Sequence, residues 1–452
     1  MARSYSKLRR VCIAGSHLKL PRVSGGHFVI ADNNKERIRK MIVRCTEEEC
    51  ECVIEGENGC YCPQCLGTMQ KIDRKHMTGM DWCQLGIFYS QNGEEEKAYE
   101  CFQQSARLGE PWGICNLGWC YEVGSGIEID EVQAVWLYEQ SSELGYLPAY
   151  CNLGWCYEHG IGVKENIKQA AMYYQIAAED NFARAQRLLG NCYAYGNGVE
   201  QNEEMAFWLM KDSADNGDFD AKYYLATFYW NGIGVESDYQ KAVALFQEMI
   251  EEEEDRDALF YLGYAYSHGT GVEKSEEQAF YYYHRSALLG ELTSKNNLAD
   301  LYYLGVGTEQ NIEEAIFWYQ SAAEDGNDDS CCTLGRFYQD GIGVVQDKKL
   351  AANYYAKACS SSTDNLGIEG YLRLACCYYK GIGRDINEIE AIQLLEKAMQ
   401  RVKEEPRRTK DVLIRRNRTI CEGTIKILIK SLLEYAVKQE YKQFLKELLD
   451  IF

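Results

Sequence analysis

Ala149-Tyr-Cys-Asn-Leu153-Gly154-Trp-Cys-Tyr157-Glu-His-Gly160-Ile-Gly162-Val163, continued by Ala170-Ala-Met-Tyr-Tyr174-Gln-Ile-Ala177-Ala178, is the stretch on which the reading of the fold turns. Its apolar residues fall three and four apart in two blocks, and each block reads as a short amphipathic helix. The frame L-G-x-x-Y-x-x-G-x-G-V returns along the chain with leucines at Leu117, Leu153, Leu189, Leu225, Leu262, Leu298, Leu334 and Leu374, at steps of 36, 36, 36, 37, 36, 36 and 40 residues. A period of that length, held over so many copies, is a repeat array. A degenerate copy, Leu85-Gly86 with Tyr89, stands 32 residues before Leu117 and lacks the G-x-G-V element, so nine units are expected with a worn first one.

Gly154 lies inside the first helix, where glycine costs about 1 kcal/mol relative to alanine. Its return at Gly118, Gly190, Gly263 and Gly335 asks for a packing reason. A second helix crossing close at that point supplies one. Ala170 and its equivalents Ala134, Ala206, Ala242, Ala279, Ala315, Ala351 and Ala391 are the small residues such a crossing requires. Gly160 takes the left-handed conformation that ends the first helix, and Ile161-Gly162-Val163 makes the turn. The unit is a helical hairpin.

These residues resemble the Sel-one-like repeat (SLR) family, a relative of the tetratricopeptide repeat with a longer, glycine-bearing turn. The resemblance spans roughly residues 80–400. It implies an all-α fold, a right-handed α-solenoid of helix-turn-helix repeats whose first helices line a concave surface used to hold other proteins, and it implies no reaction. One hairpin cannot bury its apolar face alone, so neighbours share an elongated core and the ends need caps. The stretch TIKILIKSLLEYAV at 424–437, followed by Phe444-Leu445 and Leu448-Leu449, has helical periodicity without the repeat signature. Three regions are expected: a head at 1–75, the solenoid at 80–400 and a C-terminal helical cap of two helices at 409–452.

Of the twenty cysteines, seven lie in the head and thirteen follow it. Cys120, Cys156, Cys192 and Cys377 each precede a repeat tyrosine and read as one buried packing position. Equivalent residues in stacked hairpins, such as Cys115 and Cys151, stand about a helix diameter apart, beyond the roughly 7 Å limit for a disulfide. Reduced thiols are expected. The head differs, because Cys62-Pro-Gln-Cys65-Leu-Gly has the form of a metal-binding knuckle that aims two thiolates at one point. Val53-Ile54 and Cys60-Tyr61 flank Gly-Glu-Asn-Gly, a good hairpin turn. The arrangement resembles a zinc ribbon, with Cys45, Cys50, Cys62 and Cys65 as ligands to one structural zinc and Cys52 an alternative to Cys50.

Charge is as uneven as cysteine. Residues 1–44 carry +9 and 401–452 carry +5, which leaves −35 for 45–400 in a chain of net charge −21. An acidic array repels nucleic acid and favours basic partners, although solvated Glu and Asp on helix surfaces give the same composition. The basic N-terminal segment and Arg407-Arg408-Thr-Lys410 with Arg415, Arg416 and Arg418 could touch phosphates or fold onto the chain's own acid. A nucleic-acid-associated regulator with a basic zinc-binding head is therefore the alternative to a protein-binding scaffold. There is no run of eighteen apolar residues and no apolar stretch of signal-peptide type at the N-terminus, so a cytoplasmic protein without membrane contact is expected.

In tetratricopeptide geometry the residues two before, one before and two after the repeat leucine face inward or nearly so. Asn116, Trp119, Asn152, Trp155, Asn191, Tyr223 and Tyr264 then form an asparagine- and aromatic-rich strip. Asparagine can pair with a peptide backbone as donor and acceptor, and Trp or Tyr gives large contact area for few lost rotamers. That composition suits a peptide or protein segment with basic residues, unless the aromatics only fill the interior. No P-loop, G-x-S-x-G or H-E-x-x-H occurs, and His159 and His268 share one repeat position, so no enzyme is expected.

Overall fold

The computed structural model describes residues 41–45, 53–56, 69–71, 74–360 and 368–404. Of the predicted zinc ligands, Cys50, Cys62 and Cys65 lie outside the described residues, as does the side chain of Cys45, and so does the whole of the predicted cap at 409–452. The head contributes the strands β1 (Met41–Cys45), β2 (Val53–Gly56) and β3 (Met69–Lys71) in an antiparallel sheet of order β2-β1-β3. Val53 pairs with Arg44 and Ile54 with Val43, so these two residues extend a ladder with β1. The hairpin partner expected from sequence, Cys60-Tyr61, lies outside the described residues.

Beyond the sheet the described chain is helical. The first hairpins are α1 (Gly79–Gln91) with α2 (Glu95–Arg107), α3 (Pro111–Val123) with α4 (Glu131–Glu143), α5 (Leu147–His159) with α6 (Ile167–Glu179), and α7 (Ala183–Tyr195) with α8 (Glu203–Asp215). They are followed by α9 (Phe219–Asn231) and α10 (Tyr239–Glu252), α11 (Arg256–His268) and α12 (Glu276–Leu288), and α13 (Leu292–Leu304) and α14 (Ile312–Glu324). The last two pairs are α15 (Asp328–Asp340) with α16 (Lys348–Ser360) and α17 (Ile368–Lys380) with α18 (Glu388–Glu404). The chain forms two compact units, divided between Asp238 and Tyr239.

Each hairpin is set by a few recurring residues. Gly160 adopts φ +69° and ends α5, with its N–H returning to the Cys156 carbonyl, as the sequence predicts. The second helix then starts on a polar side chain thirteen residues after the repeat leucine. Asp130, Asn166, Asn202, Ser275 and Asn311 each accept a hydrogen bond from the third helical N–H, satisfying a donor that the helix leaves open. The same residues donate their backbone N–H to the carbonyl of the repeat tyrosine, as Asn166 does to Tyr157 at 2.7 Å, which closes the turn.

The helical glycines have their packing reason. A Cβ on Gly154 would lie 2.3 Å from the Tyr174 ring, and the same holds between Gly335 and Tyr355 at 2.3 Å and between Gly263 and Tyr283 at 2.7 Å. What crosses the glycine is therefore an aromatic ring of the second helix, while Ala170 and its equivalents are buried beside it. Tyr138 and Tyr174 also turn their hydroxyls onto Glu122 and Glu158, at 2.6 and 2.8 Å, so a fully buried ring keeps its one polar atom satisfied. The second glycine of each turn packs against the preceding hairpin. A Cβ on Gly162 would meet the Glu131 carbonyl oxygen at 2.2 Å, and one on Gly198 the Ile167 carbonyl oxygen at 2.3 Å.

Twelve cysteines between Cys83 and Cys377 are free thiols, ten of them buried. Burial pushes Cys120 and Cys192 up to about 12, which keeps them protonated and inert at neutral pH. They serve as small hydrophobes in the core.

Candidate functional site

Within the first unit, successive first helices such as α1 and α3, or α5 and α7, approach one another, and α15 and α17 do so in the second unit. The first-helix side is therefore where side chains of neighbouring hairpins converge. Three repeat positions meet there, and the structure separates them.

The position two after the leucine is half-buried in the first unit, at Trp119, Trp155, Asn191 and Thr227. Trp155 is held by its own helix end. The His159 ring lies over it with centroids 3.7 Å apart, and His159 Nδ1 is 3.0 Å from the Trp155 carbonyl oxygen. In the second unit Tyr264 is half-buried and carries the same device, stacked on His268 at 4.1 Å. Both histidines thus serve as struts for the aromatic four residues before them. Tyr223, two before its leucine, is half-buried with its ring beside Tyr224 at 5.8 Å.

The position immediately before the leucine behaves differently. Asn116 and Asn152 are buried, and their amide nitrogens donate to the thiols of Cys83 and Cys115 in the preceding hairpins, each at 3.4 Å. The carbonyl oxygen of Asn152 accepts from Arg184 Nη1 at 3.3 Å. Both asparagines thus lie beneath the strip in which the sequence places them, and they tie hairpin to hairpin rather than standing open to a peptide backbone. The reason is the packing of each first helix against the hairpin before it, which covers that position. Burial outweighs the Asn116 hydrogen bond at Cys83 and pushes that thiol well above its ordinary range.

One further position expected to face inward, two before the leucine, carries a charge whose partners the structure supplies. Arg187 is buried, with Nε 3.0 Å from Asp218 Oδ1 and Nη2 3.6 Å from Asp220 Oδ2. Asp218 also caps α9 by accepting from the Ala221 N–H at 2.8 Å, so one carboxylate starts a helix and anchors the hairpin before it. The sequence signal was present as Asp-Phe-Asp at 218–220 ahead of a helix, 31 residues after an arginine.

The surface so built offers half-exposed aromatic and amide side chains on a rigid, cross-tied floor. Among the described residues no group of three or more His, Cys, Asp or Glu side chains is placed to hold a metal ion. No described helix is long and apolar enough to cross a membrane.

The comparisons agree with this architecture. The Sel1 repeat profile matches residues 76–110, 113–146, 147–182, 183–218, 219–252, 256–291, 293–327, 328–362 and 368–400. Among solved structures the chain is similar to c5321, a protective antigen with an SLR fold from uropathogenic Escherichia coli, at 27% identity over 74% of this chain and 68% of that one, with a TM-score of 0.60. It is also similar to a Sel1 repeat protein from Oxalobacter formigenes, at 26% identity over 67% of this chain and 86% of that one, with a TM-score of 0.52. No curated protein matches the chain. Each of the nine matched segments corresponds to one pair of successive described helices, worn first unit included, and the chain belongs to the Sel1 repeat family.

Proposed function

We infer that this protein is a scaffold or adaptor that captures a peptide or protein segment on the first-helix side of its N-terminal unit. The fold is one that typically serves protein–protein interaction. The observation that carries the reading is the row Trp119, Trp155 and Asn191, half-exposed at one repeat position on three successive hairpins, above the buried Asn116 and Asn152. Aromatics held on a stiff floor lose few rotamers on binding, which is how such side chains become anchors. Tyr223 adds to the same row, and Tyr264 is a contact of the same kind in the second unit. The charge of −35 over 45–400 makes a segment with Lys and Arg the better partner, because opposite charge speeds encounter and rejects acidic competitors. The reading involves no catalytic step, and it places the protein in the cytoplasm, where buried thiols stay reduced.

Affinity capture from the native host with the full chain, followed by mass spectrometry, identifies the partner. A protein retained by the parent and lost with Trp119→Ala plus Trp155→Ala supports the reading. A partner retained equally by both sinks it.

The head belongs to the same reading as a zinc-stabilised second contact surface, with Cys45, Cys50, Cys62 and Cys65 as ligands. The strand register supports this. Cys45 ends β1 opposite Met69, four residues after Cys65, so the chain leaving β1 and the chain entering β3 share one end of the sheet. Four thiolates on one zinc contribute roughly 10 kcal/mol or more to folding so small a segment. Metal analysis of protein purified without chelator is expected to find about one zinc per chain, lost in Cys62→Ser or Cys65→Ser. Zinc-free parent protein contradicts the assignment.

A further inference from the structure

The second helices of the first unit expose a row of large apolar side chains that the first-helix surface does not use. Trp136, Met172 and Trp208 stand nineteen residues after successive repeat leucines, on α4, α6 and α8. They are 51%, 63% and 50% exposed. Their neighbours Leu137-Tyr138, Ala171, Tyr174, Phe207 and Met210 pack inward, so the three point away from the core. Water at this position would be served by Glu or Lys, and an apolar row on three successive hairpins is the kind of surface that a partner covers.

The surroundings say what that partner carries. Helices α4, α6 and α8 hold eight acids against two lysines, and one of the two, Lys211, already pairs with Asp215 at 2.7 Å. Of the two exposed aromatics at this repeat position in the second unit, Tyr281 and Phe317, the first shows how a cation can settle there. Tyr281, equivalent to Trp136 and Trp208, has the Arg285 guanidinium 5.3 Å from its ring centroid, with Nη1 3.1 Å from the tyrosine hydroxyl. Four residues after Trp136, Met172 and Trp208 the chain has Gln140, Ile176 and Asp212 instead. No cation of their own helix is in place to do for the two tryptophans what Arg285 does for Tyr281.

We propose that this face docks a basic amphipathic segment of a partner protein, its apolar side chains on Trp136, Met172 and Trp208 and its Lys or Arg residues on the tryptophan rings and the flanking carboxylates. Cation–π contact and charge pairing then act together around an apolar centre. The site is separate from the first-helix surface and stands without it.

A labelled amphipathic peptide of about fifteen residues built from leucine and lysine is the probe, with its leucine and glutamate counterpart as control. Fluorescence anisotropy with the full chain is expected to show saturable binding of the lysine peptide, weakened by added salt, and none of the glutamate peptide. Trp136→Gln with Trp208→Gln should weaken it roughly thirtyfold and Met172→Gln less. All three side chains are half exposed or more, and circular dichroism checks that the variants remain folded. Equal binding of the two peptides, or an unchanged affinity in the double variant, overturns the proposal. So does a parent dimer that the double variant dissociates, because the face would then be covered by a second copy of the chain.

Discussion

The third and fourth hairpins share one sequence frame and hold themselves together by different physics. In the third, Gly154 lies under the Tyr174 ring, the tyrosine hydroxyl donates to Glu158, and Asn152 bridges Cys115 and Arg184. In the fourth, a Cβ on Gly190 would meet the Met210 methyl at 3.1 Å, and the tie to the next hairpin is the buried Arg187 with Asp218 and Asp220. A ring has a fixed shape and demands a bare glycine, whereas a thioether chain can move aside. The repeat thus conserves a geometry while each copy meets it with its own chemistry, and neighbouring copies differ in how much change they can absorb.

Four substitutions, taken from the largest effect to the smallest, break or sharpen that difference. Gly154→Val forces a branched side chain into the Tyr174 ring and is expected to cost on the order of 3 kcal/mol or more, read by denaturant unfolding. Unfolding indistinguishable from the parent would remove the glycine–ring contact from the account. Arg187→Met strips Asp218 and Asp220 of their cation. Fully buried pairs lose about 3–5 kcal/mol on such a change, and here about 2 kcal/mol is expected because Asp220 is partly open to water. A variant as stable as the parent would show that the pair only breaks even with its desolvation. Tyr174→Phe leaves the ring in place and removes one hydroxyl donor to a carboxylate, for about 1 to 1.5 kcal/mol. A larger loss would mean that the hydroxyl also sets the ring's position. Gly190→Ala is the contrast to the first. It recovers about 1 kcal/mol of helix propensity against a slight push on a flexible methyl, so its stability should fall within about 0.5 kcal/mol of the parent or rise. A loss as large as that of Gly154→Val would erase the distinction between the two hairpins.

The hairpins were legible because period and glycine placement are local properties. Gly160 ending a helix and Gly154 under a crossing partner both follow from one copy of the repeat. The caps were visible too, as Asp130, Asn166, Asn202, Ser275 and Asn311 at one fixed offset, but a scan keyed on apolar residues passes over a single polar residue per unit. Features that depend on the neighbouring hairpin were not legible. Gly162 reads as a turn residue, and only the stack shows it seated on the Glu131 carbonyl. Asn116 and Asn152 sit where a related repeat faces inward, and only the approach of successive first helices shows that they are covered. Trp136 and Trp208 failed to stand out for the opposite reason. Trp136 stands between the buried Val135 and Leu137, and Trp208 between the buried Phe207 and the half-buried Leu209, so the run reads as core although the helix turns that one side chain to water. The head is the least legible part, since its cysteine spacing allows more than one ligand set.

Capture of a partner on the first-helix side is the central claim, and calorimetric titration of that partner into Trp155→Ala, with Trp208→Ala as the matched control on the other side, tests it most directly. The account predicts that Trp155→Ala weakens binding by about 2 kcal/mol, as a half-buried aromatic anchor should, and that Trp208→Ala leaves that affinity within about 0.5 kcal/mol of the parent. Unchanged affinity in Trp155→Ala, with the variant folded by circular dichroism, would contradict it.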